Sequence, residues 1–185
     1  MKALVTGGGG FLGSAICRRL IARGDKVRSL CRGAYPELEA LGIQARRGDL
    51  ADPGAVAAAA EGCDIVFHAG GKTGIWGSFE KYRGVNVDGT RHVLEACRKH
   101  GIRRLVYTGS PSAVFDGKDM EGVDESAPYP DRFEASYPRT KAMAERMVLE
   151  ANGRDLAAVS LRPHLIWGPG DNQLVPRIIA RRKAG

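Results

Sequence analysis

Short apolar runs alternate along this chain with stretches in which apolar residues recur at helical spacing. The runs predict strands at residues 3–5, 27–30, 43–46, 64–68, 104–108 and 157–161. Helices are predicted at 11–22, around 37–41, at 53–60, over a longer stretch that ends near residue 100, and at 136–150. Because strands and helices alternate throughout, the pattern predicts an α/β fold with a doubly wound parallel sheet.

A glycine-rich segment joins the first predicted strand to the first predicted helix, and its sequence is TGGGGFLG at residues 6–13. Gly7 suits a sharp turn, Gly10 lets a pyrophosphate approach the backbone, and Gly13 lets the helix pack close to the strand. The free N–H groups at such a helix start bind phosphate. A flexible loop is the alternative, but the position between strand and helix favours a Rossmann-type NAD(P)-binding fold.

Length, charge and cysteines limit the possible classes of protein. The 185 residues suit one domain, 1–185, and the net charge of +7 comes from scattered basic residues. That scatter favours an anionic small molecule over nucleic acid. Cys17, Cys31, Cys63 and Cys97 form no CxxC pair and are expected to be buried free thiols, with no metal site. Without a leader or a long apolar run, no membrane contact and a cytoplasmic location are expected.

Two segments after predicted strands bear on the choice of dinucleotide. Cys31 and Arg32 stand where an NAD site would offer a carboxylate to the ribose. A guanidinium there would pair with a 2′-phosphate, so NADP(H) is favoured and NAD(H) remains possible; the alternative is a plain surface arginine. Asp49, with Leu50 after it, is a candidate to bind the adenine amino group, or it only turns the chain.

Ser110, Tyr137 and Lys141 are the candidate reactive residues. Tyr137 and Lys141 are four positions apart, so the ammonium can lie beside the phenol and favour its ionised form. A phenol in that state serves as a general acid or base near neutral pH. Ser110 follows the fifth predicted strand and can bond a carbonyl oxygen. Taken alone, a Tyr/Lys pair at this spacing is common on helix surfaces.

Taken with the glycine turn, these residues belong to a longer series of motifs. In chain order they are TGGGGFLG at 6–13, GDL at 48–50, FHAG at 67–70, NVDGT at 86–90, YTGS at 107–110, YPRTK at 137–141 and LRP at 161–163. The series resembles the extended short-chain dehydrogenase/reductase family. Segments 72–77 and 162–171 resemble its 3β-hydroxysteroid dehydrogenase-like branch. The resemblance implies an oxidoreductase that acts on a CH–OH group.

The resemblance also implies a role for each matching residue. Tyr137 would exchange a proton with the substrate oxygen, Lys141 would hold the nicotinamide ribose and lower the pKa of the phenol, and Ser110 would polarise the carbonyl. Pro163 and His164 would lie near the nicotinamide, although a purely structural histidine is the alternative for His164 and for His68. The cofactor-binding set is Gly7, Gly10, Phe11, Leu12, Gly13, Arg32, Asp49, Leu50, Ala69, Gly70, Asn86, Tyr137, Lys141 and Pro163.

Three departures from the family pattern stand out. Gly109 replaces a usual serine or threonine, which leaves Ser112 as a rival to Ser110. Gly70 and Gly71 replace the usual alanines, which predicts looser packing near the cofactor. The chain ends at Gly185, where family members begin their substrate-binding region; residues 164–185 are expected to begin that region, with most of it missing.

The leading hypothesis is an NADP(H)-dependent oxidoreductase that transfers hydride to or from a ketone or secondary alcohol of an apolar substrate, such as a β-keto acid or a sterol. One alternative is an NAD-dependent nucleotide-sugar epimerase or dehydratase, which uses the same three reactive residues. The other is a non-catalytic regulator that only binds NADP(H). The expected partner is a small-molecule substrate, and a homodimer is expected by analogy with the family.

Overall fold

The computed structural model describes residues 1–74, 76–171 and 174–183. All six predicted strands are confirmed, with small shifts at some ends. They are β1 (Lys2–Thr6), β2 (Lys26–Cys31), β3 (Gln44–Arg47), β4 (Ile65–His68), β5 (Arg104–Thr108) and β6 (Ala157–Leu161).

The helices agree less uniformly with the sequence pattern. They are α1 (Phe11–Ala22), α2 (Pro36–Glu39), α3 (Pro53–Ala60), α4 (Phe79–Arg83), α5 (Gly89–His100), α6 (Ser136–Glu150) and α7 (Leu174–Lys183). The bounds predicted for α1, α3 and α6 are confirmed at both ends. The long helix expected to end near residue 100 is instead α4, a π-helical turn (Gly84–Asp88) and α5 in succession. The sequence pattern did not predict α7, which buries none of its residues.

The strands form one parallel sheet in the order β3-β2-β1-β4-β5-β6. The chain winds outward from β1 in one direction through β2 and β3, and then in the other through β4, β5 and β6. The order reverses between β1 and β4, which pair so that Thr6 lies beside His68. Ligands of doubly wound sheets bind beyond the carboxyl ends of the strands at this reversal point.

The two faces of β1 carry separate cores because successive side chains of a strand point to opposite faces. Leu4 packs into a cluster with residues of α3, α5 and α6, such as Val56, Val93 and Val148. Ala3 and Val5 pack into the other cluster, with Cys17 and Leu20 of α1 and with Leu38 of α2. A sheet covered by helices on both faces confirms the predicted fold class.

Candidate functional site

One cavity of about 690 Å³ lies at the carboxyl ends of the strands, and loops that follow all six strands contribute to it. The residues of the predicted site that line it are Gly7, Gly10, Phe11, Leu12, Gly13, Arg32, Asp49, Leu50, Ala69, Gly70, Ser110, Tyr137, Lys141 and Pro163. Asn86 is the one member of the predicted catalytic and cofactor-binding set that does not line this cavity.

The glycine turn between β1 and α1 is fixed by backbone contacts. Gly7 has a φ of +70°, and its N–H donates to the Leu30 carbonyl at 2.9 Å. A β-carbon on Gly7 would lie 2.7 Å from the Cα of Gly70. A β-carbon on Gly13 would lie 2.1 Å from the Gly7 carbonyl oxygen, so α1 can approach the turn only through glycine. These contacts agree with the turn and packing functions expected of Gly7 and Gly13.

The amino end of α1 opens into the cavity. Phe11, Leu12 and Gly13 form its first turn and line the cavity, and that turn carries no acidic side chain. The first N–H groups of a helix have no partner within the helix, and the helix dipole places partial positive charge there. An anionic phosphate would accept hydrogen bonds from these N–H groups and be attracted by the partial positive charge. The amino end of α1 therefore fits a pyrophosphate.

The end of β2 presents sulfur and guanidinium rather than carboxylate. Cys31 is half-buried, not buried as predicted, because it ends the strand at the cavity wall; its Sγ accepts a hydrogen bond from the Gly9 N–H at 3.1 Å. Arg32 is exposed and lines the cavity, and its carbonyl accepts from Nε of Arg47 at 3.1 Å. All four cysteines are free thiols.

Asp49 contributes to its own loop as well as to the cavity wall. One of its carboxylate oxygens accepts a hydrogen bond from the Ala51 N–H at 3.0 Å, which is the turn-forming function that the sequence left open. The adjacent Leu50 is buried in the core while it also lines the cavity.

Asn86, expected among the cofactor-binding residues, does not itself line the cavity but holds Lys72, which does. It is 2% exposed in the π-helical turn, where its amide is engaged with protein groups. Its oxygen accepts from the Lys72 N–H at 2.7 Å, and its nitrogen donates to the Lys72 carbonyl and to the Thr140 hydroxyl, both at 3.1 Å. Asn86 therefore ties the loop after β4 to α6.

Both glycine departures from the family pattern occur at close contacts. A β-carbon on Gly70 would lie 2.9 Å from Leu50 Cδ1 and 3.1 Å from the Thr6 hydroxyl oxygen, so the loose packing expected there is wrong. A β-carbon on Gly109 would lie 2.6 Å from a carboxylate oxygen of Glu145. The glycine at 109 makes room for that buried carboxylate.

The geometry separates Ser110 from its rival Ser112. Ser110 lies in the cavity with Tyr137 and Lys141, whereas Ser112 lines a second cavity of about 990 Å³ on the other side of the loop. Their hydroxyl oxygens are 2.8 Å apart, and the Ser112 N–H donates to Ser110 Oγ at 3.3 Å. Ser112 thus orients the hydroxyl of Ser110. His164 also lines the second cavity and not the first, which differs from the position expected for it.

Tyr137 lies in the first turn of α6, and its ring meets the ring of Tyr82 edge-on with centroids 6.4 Å apart. Burial raises the pKa of the Tyr137 phenol, while the neighbouring Ser110 hydroxyl works in the opposite direction. The phenol is therefore neutral near pH 7 in this structure, which is the state of a proton donor.

Lys141 is held by groups of β5. Its ammonium donates to the Thr108 carbonyl at 2.5 Å and lies 4.2 Å from the ring centroid of Tyr107. Burial lowers the pKa of Lys141 to about 7, and Glu145 works in the opposite direction. The ammonium is bonded to the end of β5, and its effect on the phenol pKa stays a prediction.

A charged cluster that the sequence analysis missed lies beneath Lys141. Glu145 is fully buried one helical turn beyond it. Its carboxylate accepts from the Tyr129 hydroxyl at 2.8 Å, the Ser160 hydroxyl at 2.6 Å and the Arg162 guanidinium at 2.7 Å. Desolvation opposes these bonds, but together they lower the pKa of Glu145. The signal in the sequence was Glu145 in helical register with Tyr137 and Lys141.

His68 supports the site from within the core. Its two ring nitrogens lie 2.7 Å from the Thr6 hydroxyl oxygen and 3.0 Å from the Thr90 hydroxyl oxygen. Burial, and then the charge of Lys141, lower the pKa of His68 to about 3, so the imidazole is neutral. The structural alternative for His68 is the one that the geometry supports.

Within residues 1–74, 76–171 and 174–183, no cluster of three or more histidine, cysteine or acidic side chains is suited to hold a metal ion. Over the same ranges, no helix combines the length and apolar character needed to cross a lipid bilayer.

Sheet order, glycine turn and cavity together define a dinucleotide-binding α/β domain of the short-chain dehydrogenase/reductase type. The chain belongs to the 3-beta hydroxysteroid dehydrogenase/isomerase family, whose sequence model matches residues 4–185.

Individual relatives agree with that assignment. The chain is 54% identical over 187 residues to the 2-alkyl-3-oxoalkanoate reductase of Stenotrophomonas maltophilia (strain K279a), covering 100% of this chain and 57% of the relative. It is 51% identical over 190 residues to the protein of the same name from Shewanella oneidensis, covering 99% and 49%. The chain therefore spans about half the length of the curated relatives it matches.

Solved structures show the same fold. The UDP-glucose 4-epimerase of Thermus thermophilus, solved as a complex with NAD, superposes with a TM-score of 0.72 and 32% sequence identity. The match covers 88% of this chain and 54% of the epimerase.

Proposed function

We propose that the protein is a nicotinamide-dependent oxidoreductase that interconverts a ketone and a secondary alcohol on an apolar substrate, such as a β-keto acid or a sterol. The observation that carries the proposal is the meeting of Ser110, Tyr137 and Lys141 with the glycine turn in one cavity. The relatives above are named as reductases of 3-oxo acids, and these names support a β-keto acid as the substrate. A homodimer and a cytoplasmic location stay predictions.

The cavity fits a dinucleotide on its own geometry. Glycines 7 and 13 leave no room for β-carbons, and the amino end of α1 offers unpaired N–H groups where a pyrophosphate would lie. NADP(H) is favoured over NAD(H) because Arg32 lines the cavity and position 31 carries no carboxylate. When bound, the nicotinamide supplies or accepts the hydride.

The protein side chains supply the proton chemistry. The hydroxyl of Ser110 donates a hydrogen bond to the substrate carbonyl and polarises it. The neutral phenol of Tyr137 donates its proton to the same oxygen as the carbonyl becomes an alcohol. Lys141 adds positive charge close by, which favours negative charge developing on that oxygen and on the phenol.

The test is turnover of a 2-alkyl-3-oxo acid by the intact protein, followed by NADPH and NADH oxidation. Tyr137→Phe removes the proton donor and should lower kcat by at least about 100-fold, while the Kd for NADPH changes only slightly. Ser110→Ala should lower kcat by about 10- to 1000-fold, whereas Ser112→Ala removes only the group that orients Ser110 and should lower kcat less.

Each alternative predicts a different result. Unchanged turnover in Tyr137→Phe would contradict the proposed mechanism. Tightly retained NAD that copurifies with the protein, with no NADPH consumption on any ketone, would favour an epimerase or dehydratase. Dinucleotide binding without turnover across a broad panel of carbonyl compounds would favour a regulator.

A further inference from the structure

The ammonium of Lys141 is held in a narrow space at the end of β5. Lys141 is 7% exposed, and Tyr107, directly below it, is 1% exposed. The ammonium lies 4.2 Å from the centroid of the Tyr107 ring and donates to the carbonyl of Thr108, the next residue of the strand. One strand thus offers the charge both an aromatic face and a carbonyl oxygen.

The other groups that face Lys141 do little to balance its charge. Glu145, on the same helix, is the negative group nearby, but its carboxylate is already paired with Arg162 and bonded to Ser160 and Tyr129. His68 of β4 is neutral, and so is the phenol of Tyr137. A buried ammonium with little opposite charge around it tends to lose its proton. An uncharged surface that attracts cations can therefore stabilise the charged form of Lys141.

The ring of Tyr107, rather than its hydroxyl, makes this contact. Within the described part of the chain, the buried hydroxyl oxygen has no hydrogen-bond partner. The ring also packs against the imidazole of His68, with centroids 5.5 Å apart, which fixes its orientation under the ammonium. An aromatic face attracts a cation through its quadrupole, most strongly where water is excluded.

We propose that Tyr107 is a positioning residue whose ring face keeps the Lys141 ammonium charged and aimed at the reacting end of the cavity. The proposal rests on the proposed function in one respect, that Lys141 acts there as a cation.

The test compares Tyr107→Phe with Tyr107→Leu in the intact protein. Phenylalanine keeps the ring and removes only the unpartnered hydroxyl, while leucine removes the aromatic face. Because the ring stabilises the charged form, its loss lowers the pKa of Lys141 further. In Tyr107→Leu we expect NADPH affinity and kcat/KM to fall off at a pH about one unit lower than in the wild type. Tyr107→Phe should retain the wild-type alkaline limb.

Two further measurements keep the test decisive. Phenylalanines bearing one, two or three ring fluorines at position 107 weaken the aromatic face with little change of shape, so the alkaline limb should shift stepwise to lower pH even if Tyr107→Leu does not fold.

The ¹³C NMR titration of the Lys141 ε-carbon should shift in the same direction. Since that signal needs no turnover, it separates failure of this proposal from failure of the proposed function. An unshifted limb and titration across the fluorine series, or an equal shift in Tyr107→Phe and Tyr107→Leu, would overturn the proposal.

Discussion

The glycine turn and the Ser110–Tyr137–Lys141 cluster line the same cavity but are built on different physical requirements. In the turn, the requirement is steric and acts between residues close in sequence, because α1 can meet the Gly7 carbonyl only where residue 13 has no β-carbon. In the cluster, the requirement is electrostatic and acts between residues far apart in sequence, because the ammonium of Lys141 is placed by a carbonyl and a ring from β5. One half of the cavity therefore depends on the lack of β-carbons at two glycines, and the other half on how a buried ammonium is held.

The largest effect should come from filling the steric half. Gly13→Val places a β-carbon 2.1 Å from the Gly7 carbonyl oxygen, which is backbone and cannot rotate away. We expect no cooperatively folded protein, since overpacking against a fixed partner exceeds the usual cost of about 1–3 kcal/mol. Thermal unfolding followed by circular dichroism measures this.

Gly84→Val is the matched control for that change. Gly84 has helical angles, φ −56° and ψ −40°, and a β-carbon there would meet nothing within 4 Å. Its stability should stay within about 1 kcal/mol of the wild type. A normal unfolding transition in Gly13→Val would show that the turn is not sterically closed, and the comparison would lose its first half.

The next effect tests the charged cluster that lies beneath the electrostatic half. Arg162→Met leaves the buried carboxylate of Glu145 without its cation, and we expect a loss of about 3–5 kcal/mol in urea denaturation. Because an unpaired buried carboxylate is less costly when protonated, the loss should shrink as the pH falls from 8 to about 5. The effect of a steric clash would show no such dependence.

Two variants check the origin of that loss. Arg83→Met removes an exposed pair with Glu80 and should change stability by less than about 0.5 kcal/mol. The double change Glu145→Leu with Arg162→Met should recover part of the loss, since no buried charge remains. Equal losses in the single and double variants would mean that Arg162 contributes by packing alone.

The two halves also differ in how far they could be predicted from the sequence. The turn could be predicted because each requirement acts within a few residues and glycine is the residue type that meets it. Strand periodicity predicted all six strands for the same reason. The assembly of loops into one cavity followed from the rule for parallel sheets, so the cavity-lining set was found with Asn86 as its exception.

What the sequence missed depends on contacts between distant residues. Helical spacing predicted that Lys141 can lie beside the phenol, but it gave no sign of the contacts to the Thr108 carbonyl and the Tyr107 ring, which belong to another element. Asn86 was placed in the cofactor-binding set by the family resemblance, and the π-helical turn that buries it was not predicted. The ring of Tyr35 would lie 2.3 Å from a β-carbon on Gly9. No short sequence pattern predicted this close approach.

The smallest effect concerns a short-range polar contact that lies outside both halves of the cavity. Asp52 caps α3, and one carboxylate oxygen accepts from the N–H groups of Gly54 at 2.8 Å and Ala55 at 3.2 Å. Asp52→Ala should cost about 1 kcal/mol in urea denaturation, the usual value for losing such a cap. Asp119→Ala, in an exposed loop, is the control and should change stability by less than about 0.5 kcal/mol. A loss in Asp52→Ala close to that in Arg162→Met would show that short-range polar contacts contribute as much stability as the buried charged cluster. The two halves would then differ only in their steric requirement.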